Sequence, residues 1–103
     1  MTVYADDIEI GQSASYTRTV SEKDIALFGE ATGDMNPVHF DEAYAATTPF
    51  KTRIAHGMLT AGFFSTVLGT KLPGAGSIYV SQTLSFKAPV RIGDTVEAVC
   101  TVT

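Results

Sequence analysis

The chain has 103 residues, one domain's worth of length, with 45% hydrophobic and 17% charged residues, a globular balance rather than a disordered one. Seven Lys/Arg against 11 Asp/Glu give a net charge of −4 with no basic run, which excludes the clustered positive footprint of a nucleic-acid binder. A single cysteine, Cys100, excludes an internal disulfide framework, no Cys/His spacing resembles a zinc site, and the longest apolar stretch, Met58 to Leu68, falls short of a membrane helix.

Met1 to Asp7 has no basic head followed by an apolar run, so no secretory leader and a cytoplasmic location are expected. No repeat, linker or low-complexity segment follows, and residues 1–103 read as one domain. Gly11 marks a turn, and Ser13 to Val20 reads as a strand with Ala14, Tyr16 and Val20 on one face and Arg18 breaking the pattern. Ser21 is a suitable N-cap, with Asp24 three residues on as a loose capping box. Helical spacing follows from Glu22 to about Thr32, with Ile25, Leu27, Phe28 and Ala31 as its apolar stripe and Gly33 as its stop. Gly33-Asp34-Met35-Asn36-Pro37 is turn chemistry. Asp41 is placed to cap a short helix through Ala46, before Pro49.

Arg53 to Gly57 looks irregular. Met58 to Leu68 is apolar nearly all round, and a helix of that kind is expected to be buried on every face. After the Gly-rich loop Leu72 to Gly76, residues 77–86 alternate as a long strand ending at Pro89. Gly93-Asp94 is a turn, and Thr95 to Thr103 alternates again through Val96, Ala98, Cys100 and Val102. The packing that buries such a helix is an antiparallel sheet curled around it. A domain this short gains stability from a second copy.

Asp34, Asn36 and His39 lie within six residues on a turn stiffened by Gly33 and Pro37. A carboxylate and an imidazole there are able to converge on one water and share acid/base work near neutral pH. Asp34 and Asn36 equally suit ordinary Asx turns, with His39 half-exposed. Gly57, opening the apolar helix, either offers backbone N–H groups to a developing oxyanion or relieves crowding where a loop enters the helix. His56 reads as a structural hydrogen-bonder. Ser65 reads as a buried hydroxyl bonded back to its own helix or reaching a loop group. Cys100 reads as an inert small hydrophobe.

Gly33-Asp34-Met35-Asn36-Pro37-Val38-His39 with Ala43, then Ile54-Ala55-His56-Gly57-Met58-Leu59, resembles the signature of the MaoC-like dehydratases, in particular the (R)-specific enoyl-CoA hydratases. The resemblance runs from about Ile8 to the end, through Leu72-Pro73-Gly74, Leu84-Ser85-Phe86-Lys87, Pro89-Val90 and Gly93-Asp94. It implies an α+β hot-dog fold, a bent antiparallel sheet wrapped around the apolar helix. It implies hydration of a trans-2-enoyl-CoA to an (R)-3-hydroxyacyl-CoA by a homodimer, with no cofactor, metal, nucleic acid or membrane involved. Asp34 and His39 would be the acid/base pair, Gly57 the oxyanion donor, and Asn36 and Ser65 supporting residues. Phe50 and Met58 would line the substrate pocket, which is expected between the apolar helix and residues 43–50. Ala45, Ala46 and Gly62 would leave space there and Phe50, Phe63 and Phe64 would close it, favouring short or medium acyl chains. Lys51, Arg53, Lys87 and Arg91 are candidates for the CoA phosphates.

Members of this family continue past the last strand seen here by about two strands, so a truncated domain, or one completed by another polypeptide, is expected. Two other readings stand beside hydration. One is dehydration of 3-hydroxyacyl thioesters on an acyl carrier protein, and the other is a non-catalytic acyl-thioester-binding subunit.

Overall fold

The computed structural model describes residues 8–103, and the segment Met1–Asp7, read above for a secretory leader, lies outside the described residues. β1 (Ser13–Thr19) leads to α1 (Glu22–Thr32), α2 (Pro37–Phe40), α3 (Glu42–Ala46), α4 (Gly57–Thr70) and β2 (Thr95–Thr101). The two strands pair with each other. At one end Gly11 N–H donates to Val102 O (2.9 Å) and Val102 N–H to Gln12 O (2.8 Å). At the other, Val20 N–H donates to Asp94 O (2.9 Å) and Gly93 N–H to Val20 O (2.8 Å), so the strands run antiparallel. The alternation predicted for β2 holds, with Ala98 buried and Val96 and Cys100 half-buried between exposed neighbours. No described helix is long and apolar enough to cross a membrane.

The chain divides into two compact units. One comprises Thr19–Thr60 and Ser85–Val96. Here Ser21 Oγ accepts from Asp24 N–H and Asp24 Oδ2 accepts from Ser21 N–H, both at 3.2 Å, so the predicted capping box forms and α1 begins where expected. Gly33 ends it in the left-handed region at φ 79°, a conformation that favours glycine. The buried face of α1 is Asp24, Ile25 and Gly29; of the predicted stripe Ile25 is buried and Phe28 half-buried, while Ala31 and Leu27, 53% exposed, face outward. The reason is Gly29: a Cβ there would lie 2.5 Å from the Phe40 ring, so α1 turns this bare backbone inward and Leu27 outward. Asn36 caps α2 and Asp41 caps α3 through Tyr44 N–H (3.1 Å). An isolated antiparallel bridge joins Ile54 to Arg91.

The other unit comprises the residues up to Arg18, Ala61–Leu84 and Glu97–Thr103. Ala61, Phe63, Val67, Leu72 and Ala98 are buried within it. Phe63 meets Tyr16 edge to face at 5.6 Å, and the Lys71 ammonium donates to Ser15 O while standing 5.9 Å from the Tyr16 ring.

Two expectations are corrected. α4 runs one residue earlier and two later than the apolar stretch, and it is not buried on every face: Met58, Gly62 and Ser65 are exposed. The described sheet has two strands, too few to cover a helix all round. Residues 77–86 form no strand, with Ile78 83% and Val80 92% exposed, because no described strand pairs with them.

Candidate active site

The site is assembled in the unit that contains α1, α2 and α3. Once Gly33 has ended α1, Asp34 Oδ1 accepts from Asn36 N–H (3.3 Å) and Asn36 Oδ1 accepts from Val38 N–H (3.2 Å). These two Asx turns, with Pro37 in the first turn, start α2 and carry His39 on it. Asn36 thus holds the start of α2 and does not line the cavity described below.

His39 is buried, and its Nδ1 lies 2.8 Å from Ile54 O. A carbonyl only accepts, so Nδ1 carries the proton and the lone pair of the neutral ring is on Nε2. His56, 2% exposed, is fixed the opposite way: its Nε2–H donates to the backbone oxygen of Asp34 at 2.9 Å, and its Nδ1 has no partner among the described residues. The two imidazoles stack at 3.9 Å between centroids, 32° apart, and Phe28 and Phe40 flank His56 at 4.7 and 5.6 Å. Asp34, His39 and His56 each offer an atom within 4.8 Å of the others, which are also the donor types of a divalent-cation site. Burial lowers the His39 pKa below its ordinary 6.5, the Ile54 carbonyl opposes this, His56 lowers it further and Asp34 raises it.

Arg53 secures this arrangement from behind. Its Nε–H donates to His39 O (2.7 Å) and its Nη1 to Glu22 (2.6 Å). Arg53 is thereby engaged in the framework. Arg91 donates to Phe50 O (3.2 Å), while Lys87 stands in the cavity wall.

Asp34, His39, Gly57, Phe50 and Met58, all predicted site residues, line one cavity of about 370 Å³. Its remaining wall includes Ile54, His56, Thr60 and residues 86–90. Gly57, the first residue of α4, has Phe86 so close that a Cβ would sit 2.9 Å from the ring, so bare backbone faces the cavity there. The acyl pocket expected against residues 43–50 is only partly found. Phe50 contributes, but Ala45 is fully buried, and Ala46, Gly62, Phe63 and Phe64 do not line the cavity. Ser65 is not brought there either. It is exposed rather than buried, eight residues along α4 from Gly57, and lines a separate cavity of about 300 Å³ with Leu68, Gly69 and Ser77. Sequence reasoning read His56 correctly as a structural hydrogen-bonder but did not place it at the site, and it missed residues 86–90 as a wall. The available signal for His56 was its place directly before the glycine that opens α4.

Comparison with known proteins adds to this geometry. The family described as MaoC like domain matches residues 5–103. The (R)-specific enoyl-CoA hydratase of Rhodospirillum rubrum is 66% identical over 97% of this chain and 69% of its own. The 3-hydroxybutyryl-CoA dehydratase of Methylorubrum extorquens is 56% identical over 92% of this chain and 60% of its own. The solved (R)-hydratase from Aeromonas caviae, described as involved in PHA biosynthesis, superposes with a TM-score of 0.92 at 48% identity, over 96% of this chain and 75% of that one. The chain thus spans between 60% and 75% of the length of these relatives.

Proposed function

The chain belongs to the MaoC-like domain family, carbon–oxygen lyases on a hot-dog fold, and from that premise we propose that it adds water across a trans-2-enoyl-CoA to give the (R)-3-hydroxyacyl-CoA. The observation that carries the proposal is the convergence of Asp34, His39 and Gly57 on one cavity. Water is a poor nucleophile, so the step needs a base at its proton and an acceptor for charge on the thioester. Asp34 and the Nε2 lone pair of His39 hold the water. The pair takes one proton as the oxygen bonds to C3, the C2–C3 double bond opens toward the thioester, and the same proton passes to C2. The pair is then restored, and atoms balance with no further reactant.

As negative charge builds on the thioester oxygen, the backbone N–H of Gly57 at the positive end of α4 receives it. Acid/base help of this kind contributes roughly 10²–10⁴-fold, and one oxyanion donor about 10²–10³-fold. Loss of water from the 3-hydroxyacyl thioester uses the same groups in reverse. The apolar wall of Phe50, Met58 and Phe86 suits an acyl chain, and the proposal includes association of two copies.

Asp34→Asn and His39→Gln are each expected to lower crotonyl-CoA hydration, followed by loss of the enoyl-thioester absorbance, by about 10²–10⁴-fold while the circular dichroism spectrum is unchanged. Near-normal hydration by either folded variant overturns the reading.

A further inference from the structure

The most deeply buried polar side chain beside the cavity has no part in the reaction just proposed. His56 is 2% exposed, enclosed by Phe28 and Phe40, and leaves its Nδ1 without a partner among the described residues. A phenylalanine or leucine would fill the same space with no orphaned nitrogen. What an apolar side chain cannot do is grip a carbonyl. That is what His56 does: Nε2–H donates at 2.9 Å to the main-chain oxygen of Asp34, across 22 residues, while its ring lies 3.9 Å from that of His39.

We propose that His56 is the positioning residue of the Asp34–His39 pair, tethering the Asp34 backbone through Nε2 and setting the plane of the His39 imidazole through its ring face. The inference rests on the reading of Asp34 and His39 as the acid/base pair. Asp34 follows the glycine hinge that ends α1, and its carboxylate is turned toward Asn36 N–H. Two short local bonds do not fix where such a turn sits relative to α2. The His56 bond does, because it ties the turn to the residue that precedes α4. The stack sets the second coordinate: His39 is held at Nδ1 by Ile54 O, and rotation about that bond is blocked on one side by the His56 ring. Displacing a reacting group by about 1 Å costs on the order of 10²-fold in rate without weakening substrate binding.

The test uses side-chain length. A glutamine amide reaches the place of Nε2 and keeps the bond to Asp34 O, whereas an asparagine amide reaches only the place of Nδ1 and loses it. His56→Asn is expected to lower kcat for crotonyl-CoA hydration by about 10²-fold with KM little changed, and His56→Gln to recover the part of that loss that the tether to Asp34 O accounts for. Equal losses in the two variants, or no loss in either, overturn the inference. Asp34→Asn and His39→Gln run in parallel separate the two readings. If they retain turnover the acid/base pair is wrong, and if they lose it while His56→Asn does not, only the role of His56 is wrong. Imidazole nitrogen chemical shifts of the unaltered protein give a check that does not depend on a variant folding. The proposal requires an Nε2–H tautomer at His56 and an Nδ1–H tautomer at His39, and the opposite tautomer at His56 overturns it.

Discussion

At the scale of single residues, the charge state of His39 decides when the site can work. Burial is the largest influence and disfavours the imidazolium, the Ile54 carbonyl and the Asp34 carboxylate favour it, and His56 opposes it. The net result is a folded-state pKa below 6.5, so the unfolded chain binds this proton more readily than the native one. Stability from this group is therefore full above pH 6.5 and lost as pH falls through the folded-state value. Denaturant midpoints measured on both sides of pH 6.5 are expected to drop on the acid side, and to drop less in His39→Gln. The acid limb of kcat/KM should likewise have its midpoint below 6.5, since only the neutral ring offers a lone pair. A midpoint above that value contradicts the burial argument. Gly57 shows a different constraint at this scale, because the Phe86 ring occupies the place a side chain would take.

At the scale of elements, the site depends on how α1, α2 and the segment before α4 are tied together. Arg53 links two of them, with Nε–H on the last-turn carbonyl of α2 and Nη1 on Glu22 in the first turn of α1. The two bonds differ in worth. Arg53 is 16% exposed and Glu22 70%, so the ion pair is screened while the carbonyl bond is sheltered. Arg53→Lys, which cannot reproduce the forked geometry, is expected to cost about 1–2 kcal/mol in urea unfolding. Glu22→Gln is expected to cost no more than about 1 kcal/mol. The ends of these helices were legible in the sequence because capping is local: Ser21 with Asp24, Gly33, and Asp41 all act within four residues. The inward face of α1 was not, because it is set by Phe40, which lies outside the helix. Asp34, His39 and Gly57 were legible from spacing and resemblance. His56 was legible as a structural hydrogen-bonder but its partners were not, because its contacts with Asp34 and His39 span 22 and 17 residues, and local sequence carries no record of them.

At the scale of the whole chain, alternation in residues 77–86 states which side chains a strand would turn each way, not whether another strand is there to meet it. Pairing is a non-local property, and the described residues provide no ladder for this segment. Its amides are expected to exchange with solvent deuterium at nearly free-chain rates, while those of β2 facing β1 are protected; comparable protection in both segments contradicts this. The anchoring of the two histidines has a consequence for sequence drift. Both ring protons are received by peptide oxygens, those of Ile54 and Asp34, and every amino acid supplies the same oxygen. Position 54 is thus free to accept other aliphatic side chains through evolution without altering which nitrogen of the neighbouring ring is basic. The reactive tautomer is inherited with the path of the main chain, and only a change that bends that path can reverse it.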